Sequence, residues 1–295
     1  YSQGFTSTEM AKMPMKISNN AVTQGVLNGI QYVYSFGGID STKNYTGINL
    51  KSFRYNVSTN SWDTIPDLPD TRGKIASGAS TIDSVIYIIG GYHVSFGGNE
   101  VSSNKVHRFN INTNTYLSDA TAIPIAIDDH VQAVWKDSLI YVITGWSNSG
   151  NVPNVQIYNP ISDSWTVGTS TPNNNIYKSF GASGTIVGNT IYYFGGASMG
   201  GSFPIQNNLR IGDINPTNPT QITWRNRIPN SNLKTYRAAC VTSPIGIHWF
   251  GGSEITYNYN GIAYNGSGGV PNKPENLSWN TVVFDSVITY GNRLP

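Results

Sequence analysis

Asp128, Asp129 and His130 stand in succession, two carboxylates and an imidazole within one triplet. Such groups can exchange a proton in acid–base chemistry or bind a cation. Successive strand residues point to opposite faces, so at most two of the three can converge. Other charged and aromatic residues recur at similar intervals: Arg72 with Lys74, Tyr177 with Lys178, and Tyr236 with Arg237. A guanidinium binds carboxylates in a bidentate fork, and the carboxylate can belong to a ligand or to a neighbouring segment. His93 follows Tyr92, Glu254 opens the last long loop, and Trp146 directly follows a glycine. The acid–base candidates are therefore Asp129, His130, Arg237 and Glu254. The ligand-binding candidates are Trp146, Tyr92, His93, Arg72, Tyr177, Lys178, Tyr236 and Arg237. His107 and His248 lie inside predicted strands and are read as structural.

The elements that must position these residues repeat. Hydrophobic strands ending in small residues read YVYSFGG, IYIIGG, IYVITG, IYYFGG and IHWFGG, and their last glycines are Gly38, Gly91, Gly145, Gly196 and Gly252. The successive spacings are 53, 54, 51 and 56 residues. Each such strand is preceded by a small-residue strand and a tight turn, as in an antiparallel hairpin. A variable loop follows, then a strand carrying Tyr55, Phe109 or Tyr158, then a strand opened by Trp62, Tyr116, Trp165 or Trp224. This order predicts four strands per unit, one propeller blade, with the aromatic pair filling space between blades. The glycine pairs predict close backbone approach near the axis. Segments 39–49, 92–104, 146–154, 197–208 and 253–280 then fall on one face, where binding residues concentrate. Their content is aromatic and amide-rich, suited to sugar rings or protein surfaces. Trp146, Tyr92 and Arg237 lead the expected contacts.

With its diglycines, the aromatic residue about 13 to 18 positions further on, and Trp seven residues after Tyr55 and Tyr158, the chain resembles the kelch-repeat family of β-propellers, whose period is roughly 50 residues. Thr144-Gly145 departs from the diglycine, and LRIGDI lacks the third-strand aromatic. The resemblance implies an all-β, single-domain propeller, commonly of six or seven blades in the family; the five glycine anchors give five four-stranded blades here, with six as the alternative. The expected blades span 21–70, 75–124, 130–172, 180–229, and 237–295 joined by 1–14. In that last blade Phe5 takes the Trp role, Pro14 takes the place of Pro69, and the N-terminal strand closes the ring. The 253–280 segment is expected to be a loop hairpin covering part of the channel mouth. In the family, arginines like Arg237 either fix neighbouring blades or bind carboxylates of ligands or partners. Some members of the wider group are copper radical oxidases, which need a Tyr-Cys crosslink and His ligands; the single Cys240 lies in a predicted inner strand. Another resembling class is the sialic acid mutarotase, whose acid–base demands Arg237, Asp129, His130 and Glu254 could meet.

Composition narrows the rest. Charged residues make up 12% of 295 residues, about half the ~25% usual for soluble domains. Asn, Ser, Thr and Gly supply the polar surface instead, which is the composition of an exported protein. A net charge of +2 without runs argues against nucleic acid as a partner. One cysteine excludes an intrachain disulfide framework, and no apolar stretch reaches the ~18 residues of a membrane span. No metal or cofactor is expected. The expectation is a secreted or cell-surface recognition module that binds glycan or protein through the loop face, with further domains of a longer exported protein possible as neighbours; sugar processing of the mutarotase type is the alternative.

Overall fold

Every glycine-ending strand becomes the second strand of a four-stranded antiparallel sheet. In a computed structural model describing residues 8–228, 234–244, 246–269, 279–283 and 286–290, sheet 1 runs Ala21–Leu27, Ile30–Ile39, Ile48–Asn56, Ser61–Ile65. Sheet 2 runs Ile75–Ile82, Val85–Val94, Val106–Asn110, Thr115–Leu117, with a short extra strand, Glu100–Ser102, on its second strand. Sheet 3 is Val131–Trp135, Leu139–Ile143, Val155–Asn159, Ser164–Gly168. Sheet 4 is Phe180–Val187, Thr190–Ala197, Leu209–Asn215, Asn218–Arg227. Sheet 5 is Ala239–Ser243, Gly246–Phe250, Trp279–Val283, Ser286–Tyr290.

Consecutive sheets pack face to face, and the period of two along each second strand decides which neighbour a side chain meets. Ile86 and Ile88 pack with Tyr34 and Phe36 of sheet 1, whereas Tyr87 and Ile89 pack with Ile140 and Val142 of sheet 3. Tyr141 and Ile143 then meet Ile191 and Tyr193 of sheet 4, and Phe194 meets Ile247 and Trp249 of sheet 5. Both faces of these strands are thus core. Each fully buried large apolar side chain contributes about 1.5–3 kcal/mol relative to exposure.

The glycine pairs serve the approach between sheets. The amide of the second glycine donates to a carbonyl entering the next sheet: Gly38 to Lys74, Gly91 to Ile127, Gly145 to Ser179 and Gly196 to Thr235, at 2.8–3.0 Å. A Cβ on Gly90 or Gly195 would lie 2.2 Å from the carbonyl oxygen of Ile127 or Thr235. Thr144, which replaces the first glycine in sheet 3, keeps the positive φ (48°) and accepts a hydrogen bond from the Ser179 amide on its hydroxyl (3.0 Å). The departure from diglycine is therefore compensated by a hydroxyl that ties the two sheets together.

The aromatic pairs are cross-strand partners: Tyr55 with Trp62, Phe109 with Tyr116 and Tyr158 with Trp165, at ring separations of 5.0–5.1 Å. In sheet 4 the partner of Trp224 is Gly212, and a Cβ there would meet the indole at 2.5 Å. The missing aromatic of LRIGDI is thus replaced by the Trp224 ring folding over a glycine. Trp165 and Trp224 donate their indole N–H to the carbonyls of Thr121 and Thr169, each three residues before a proline, in the segment leaving the preceding sheet.

Trp62 donates to Ala11 in the same way (2.9 Å), and Ala11 likewise stands three residues before Pro14. The N-terminal segment therefore seats against sheet 1 as an exit segment does elsewhere. The strand expected to close the last blade falls mostly on residues 1–7, outside the described residues. Residues 8–14 carry no strand, and the fourth strand of that sheet is Ser286–Tyr290. The stretch NTVVFDSVITY holds parts of two strands, and Phe5 lies outside the described residues.

Candidate functional site

A second line of bonds runs along the inner strands. Asn19, Ala76, Asp129, Gly181 and Arg237 each stand just before or at the start of a sheet, all with φ between 48° and 66°. Each donates its amide to the carbonyl of the previous one: Ala76 to Asn19, Asp129 to Ala76, Gly181 to Asp129 and Arg237 to Gly181, at 2.7–3.0 Å. Asp129 and Arg237 are thus held in left-handed backbone, which non-glycine residues seldom adopt. Gly181 between them has no side chain, and a Cβ there would lie 2.3 Å from the Tyr236 ring. That gap lets Arg237 reach across to Asp129.

The two form a bidentate pair, Nε to Oδ1 at 2.9 Å and Nη2 to Oδ2 at 2.6 Å. Their side chains are 10% and 7% exposed, so the pair is almost fully desolvated. The Tyr236 and Tyr257 rings cover the guanidinium, 4.7 and 5.2 Å from its carbon. Burial opposes its charge, but Asp129, Tyr236 and Tyr92 outweigh that effect and hold Arg237 protonated well above its ordinary range. Its third nitrogen, Nη1, is buried without a partner.

This pair borders a cavity of about 200 Å3 on the long-loop face. Tyr92 and Trp146, each the residue after a blade glycine, contribute to its wall, and Asp128 and Phe180, each the residue before a left-handed position, line it as well. Glu100 of the short extra strand and loop residues Phe203, Asn258 and Tyr264 complete it. Trp146, Phe180 and Phe203 meet edge to face at 5.4–5.7 Å, and Tyr264 joins Phe203 at 4.7 Å. The Trp146–Ser147 and Gly150–Asn151 hairpin is clipped to sheet 2, because the Asn148 amide donates to Ser102 Oγ (2.8 Å). Ser102 Oγ in turn donates to Asp128 Oδ2 (2.6 Å). Burial, reinforced by Asp129, pushes the Asp128 carboxyl well above the usual carboxylate range, and burial also raises Glu100, whose carboxylate accepts from Asn258.

Of the 253–280 segment expected to be a loop hairpin, residues 253–269 are described and hold the bridges Tyr257 to Ala263 and Ile262 to Gly269. It crosses the mouth: Thr256 Oγ1 donates to the Ser202 carbonyl, and Tyr259 packs with Ile39 and Tyr92.

Of the residues singled out from sequence, Trp146, Tyr92, Arg237 and Asp129 come together here. Tyr236 lies fully buried beneath Arg237. His130 turns away: its Nε2 is 3.1 Å from Gln132 Oε1, and burial lowers it to about 4. Glu254 is exposed and does not line the cavity, so the four acid–base candidates do not assemble. Tyr177 is buried, its carbonyl accepting from the Tyr193 hydroxyl, and Lys178 stands partly exposed outside the cavity. His93 is bound to the Gly73 carbonyl through Nδ1 (2.7 Å). Arg72 lines a separate groove of about 460 Å3 with Tyr45 and the 86%-exposed Phe96. Lys74 is not at the mouth: it is buried between sheets 1 and 2, 2.8 Å from Asp70. Glu100 and Asn258 were not singled out, because no motif marks them and only the loop paths deliver them. Among the described residues no cluster of three or more metal-ligating side chains occurs, and Cys240 is a free thiol whose pKa burial raises.

Comparison with known proteins agrees with this architecture. The KLHDC2/KLHL20/DRC7 Kelch-repeats domain matches residues 24–252. The Kelch-like protein terF of Aspergillus terreus is 28% identical over 169 residues, 54% of this chain and 35% of that protein. Kelch-like protein 36 of Bos taurus is 23% identical over 175 residues, 59% of this chain and 26% of that protein. The chain thus aligns with about a third or a quarter of these relatives. The solved structure of YjhT superposes with a TM-score of 0.71 at 15% identity, covering 96% of this chain and 86% of that one, which is a likeness of fold. With the repeat, the sheets and the family match in agreement, the chain belongs to the kelch-repeat family of β-propellers.

Proposed function

We propose that this propeller is an exported recognition module that holds a glycan or a protein segment on its long-loop face, with the ligand anchored in the cavity between Trp146 and Arg237. One observation carries the reading: a concave aromatic site borders a buried guanidinium whose Nη1 hydrogens have no acceptor. A buried donor without a partner costs about 1–3 kcal/mol, more when charged, and a ligand oxygen removes that cost. At about 200 Å3 the cavity is smaller than the ~300–1,000 Å3 of drug-sized sites, so it suits one ring or one side chain of a larger ligand. The loops around it supply the remaining contact area. The five four-stranded sheets support a five-bladed ring, with the N-terminal segment seated against Trp62 at its closure.

The test is a glycan-array and peptide-array screen with the wild-type chain and with Trp146→Ala. Ligands retained by the wild type and weakened about tenfold or more in the variant support the site. Ligands bound equally by both place recognition elsewhere.

A further inference from the structure

Two carboxyls on the cavity have no basic side chain of their own among the described residues, and that lack indicates what the cavity holds. Arg237 is already committed: Asp129 occupies two of its nitrogens and two tyrosine rings cover it. That leaves Glu100 and Asp128 as two further carboxyls on the same cavity, and neither forms a salt bridge with a Lys or Arg among the described residues. The same cavity is lined by Trp146, Phe180, Phe203 and Tyr264, and an aromatic face carries negative quadrupole charge. Carboxyls and aromatic faces around one small space favour a positive guest and disfavour a negative one. Arg237 Nη1 adds one unsatisfied donor at the border, which calls for an oxygen beside that positive charge.

We propose that the cavity takes a small organic cation, an ammonium or methylated ammonium group carrying an oxygen acceptor next to it, either as a free molecule or as a side chain of a protein partner. The proposal rests on the reading of this cavity as the anchoring site. The groups facing Glu100 are Asn258 and Tyr264 from the covering loop, Tyr92 from its own sheet, Arg237 and Asp129 from the inner strands, and the Asp128 carboxyl. Because burial raises Glu100, a bound cation favours its ionised form, and affinity rises with pH through that raised pKa before levelling.

The experiment titrates the full chain with choline, tetramethylammonium, the neutral choline isostere 3,3-dimethylbutan-1-ol, a panel of neutral methyl glycosides, and a peptide carrying one trimethyllysine, following tryptophan fluorescence and heat. The expected order is choline, then tetramethylammonium, with the neutral isostere about tenfold or more below choline. Glu100→Gln, which keeps shape and removes charge, lowers cation affinity about tenfold and leaves the isostere unchanged. Tighter binding of the peptide than of choline, with the same Glu100→Gln loss, assigns the cation to a protein partner; the reverse assigns it to a free molecule. Equal binding of choline and its isostere, or saturation by a glycoside and not by choline, overturns the cation while leaving the cavity as the site. If no probe binds and array ligands are insensitive to Trp146→Ala, both readings fall.

Discussion

Two buried ion centres in this molecule differ in one respect, whether their bonds are saturated. Between sheets 1 and 2, Asp70 is 1% exposed and accepts from Lys74 (2.8 Å) and Lys105 (2.6 Å), with His107 Nε2 at 3.2 Å. His107 is anchored in turn by Asp119 (2.8 Å). At the loop face, Asp129 and Arg237 are just as close, but one guanidinium nitrogen is left over and a cavity lies alongside. The first centre uses its charges to join two sheets. The second uses part of the same chemistry at the edge of a cavity, and the strain of two left-handed residues is maintained by bonds to neighbouring sheets.

The strongest way to break the comparison is Asp70→Ala. Removing one partner from a buried ion cluster costs about 3–5 kcal/mol, because the remaining ammonium stays desolvated. Denaturant unfolding at neutral pH measures it. Burial opposes ionisation of Asp70, but His107, Lys105 and Lys74 outweigh it and hold the carboxyl far below the usual range. A lowered carboxylate contributes stability that is complete above its unfolded pKa, about 4, and is lost as pH falls toward the folded value. The wild-type advantage over the variant therefore shrinks in acid below about pH 4.

Asp129→Asn is the next largest, about 1.5–3 kcal/mol, since the amide keeps the shape while Arg237 loses its counter-charge. Thermal unfolding reads the loss. An effect near zero would mean that solvent already satisfies Arg237 and that the two centres are not alike in burial. The smallest change sharpens the contrast within the saturated centre. Lys105 is 40% exposed, so Lys105→Met costs about 1 kcal/mol or less, against the several expected at buried Asp70.

Much of this architecture is legible in the sequence, and the reasons are local. Glycines at Gly38, Gly91, Gly145, Gly196 and Gly252 mark backbone contacts that no Cβ fits, so their spacing reports the repeat directly. Tyr92 and Trp146 are found by position after such a glycine, and Arg237 by its place at a strand entry. His130 lies off the cavity, paired with Gln132 two residues on, which extended backbone places on the same side of the chain. The C-terminal hairpin is missed because VVFDSVI has no Asn-Gly or Asp-Gly signal between its strands. Glu100 and Asn258 belong to different segments, 158 residues apart, and only the folded crossing of the mouth brings them together.

The most direct measurement is hydrogen exchange on the chain with and without the tightest array ligand. The account predicts slowed exchange in the segments around Tyr92–Ser102, Asp128–Asn151 and Tyr257–Tyr264, centred on the Trp146 and Arg237 cavity. Protection confined to the Tyr45, Arg72 and Phe96 groove, with the cavity segments unchanged, would contradict it.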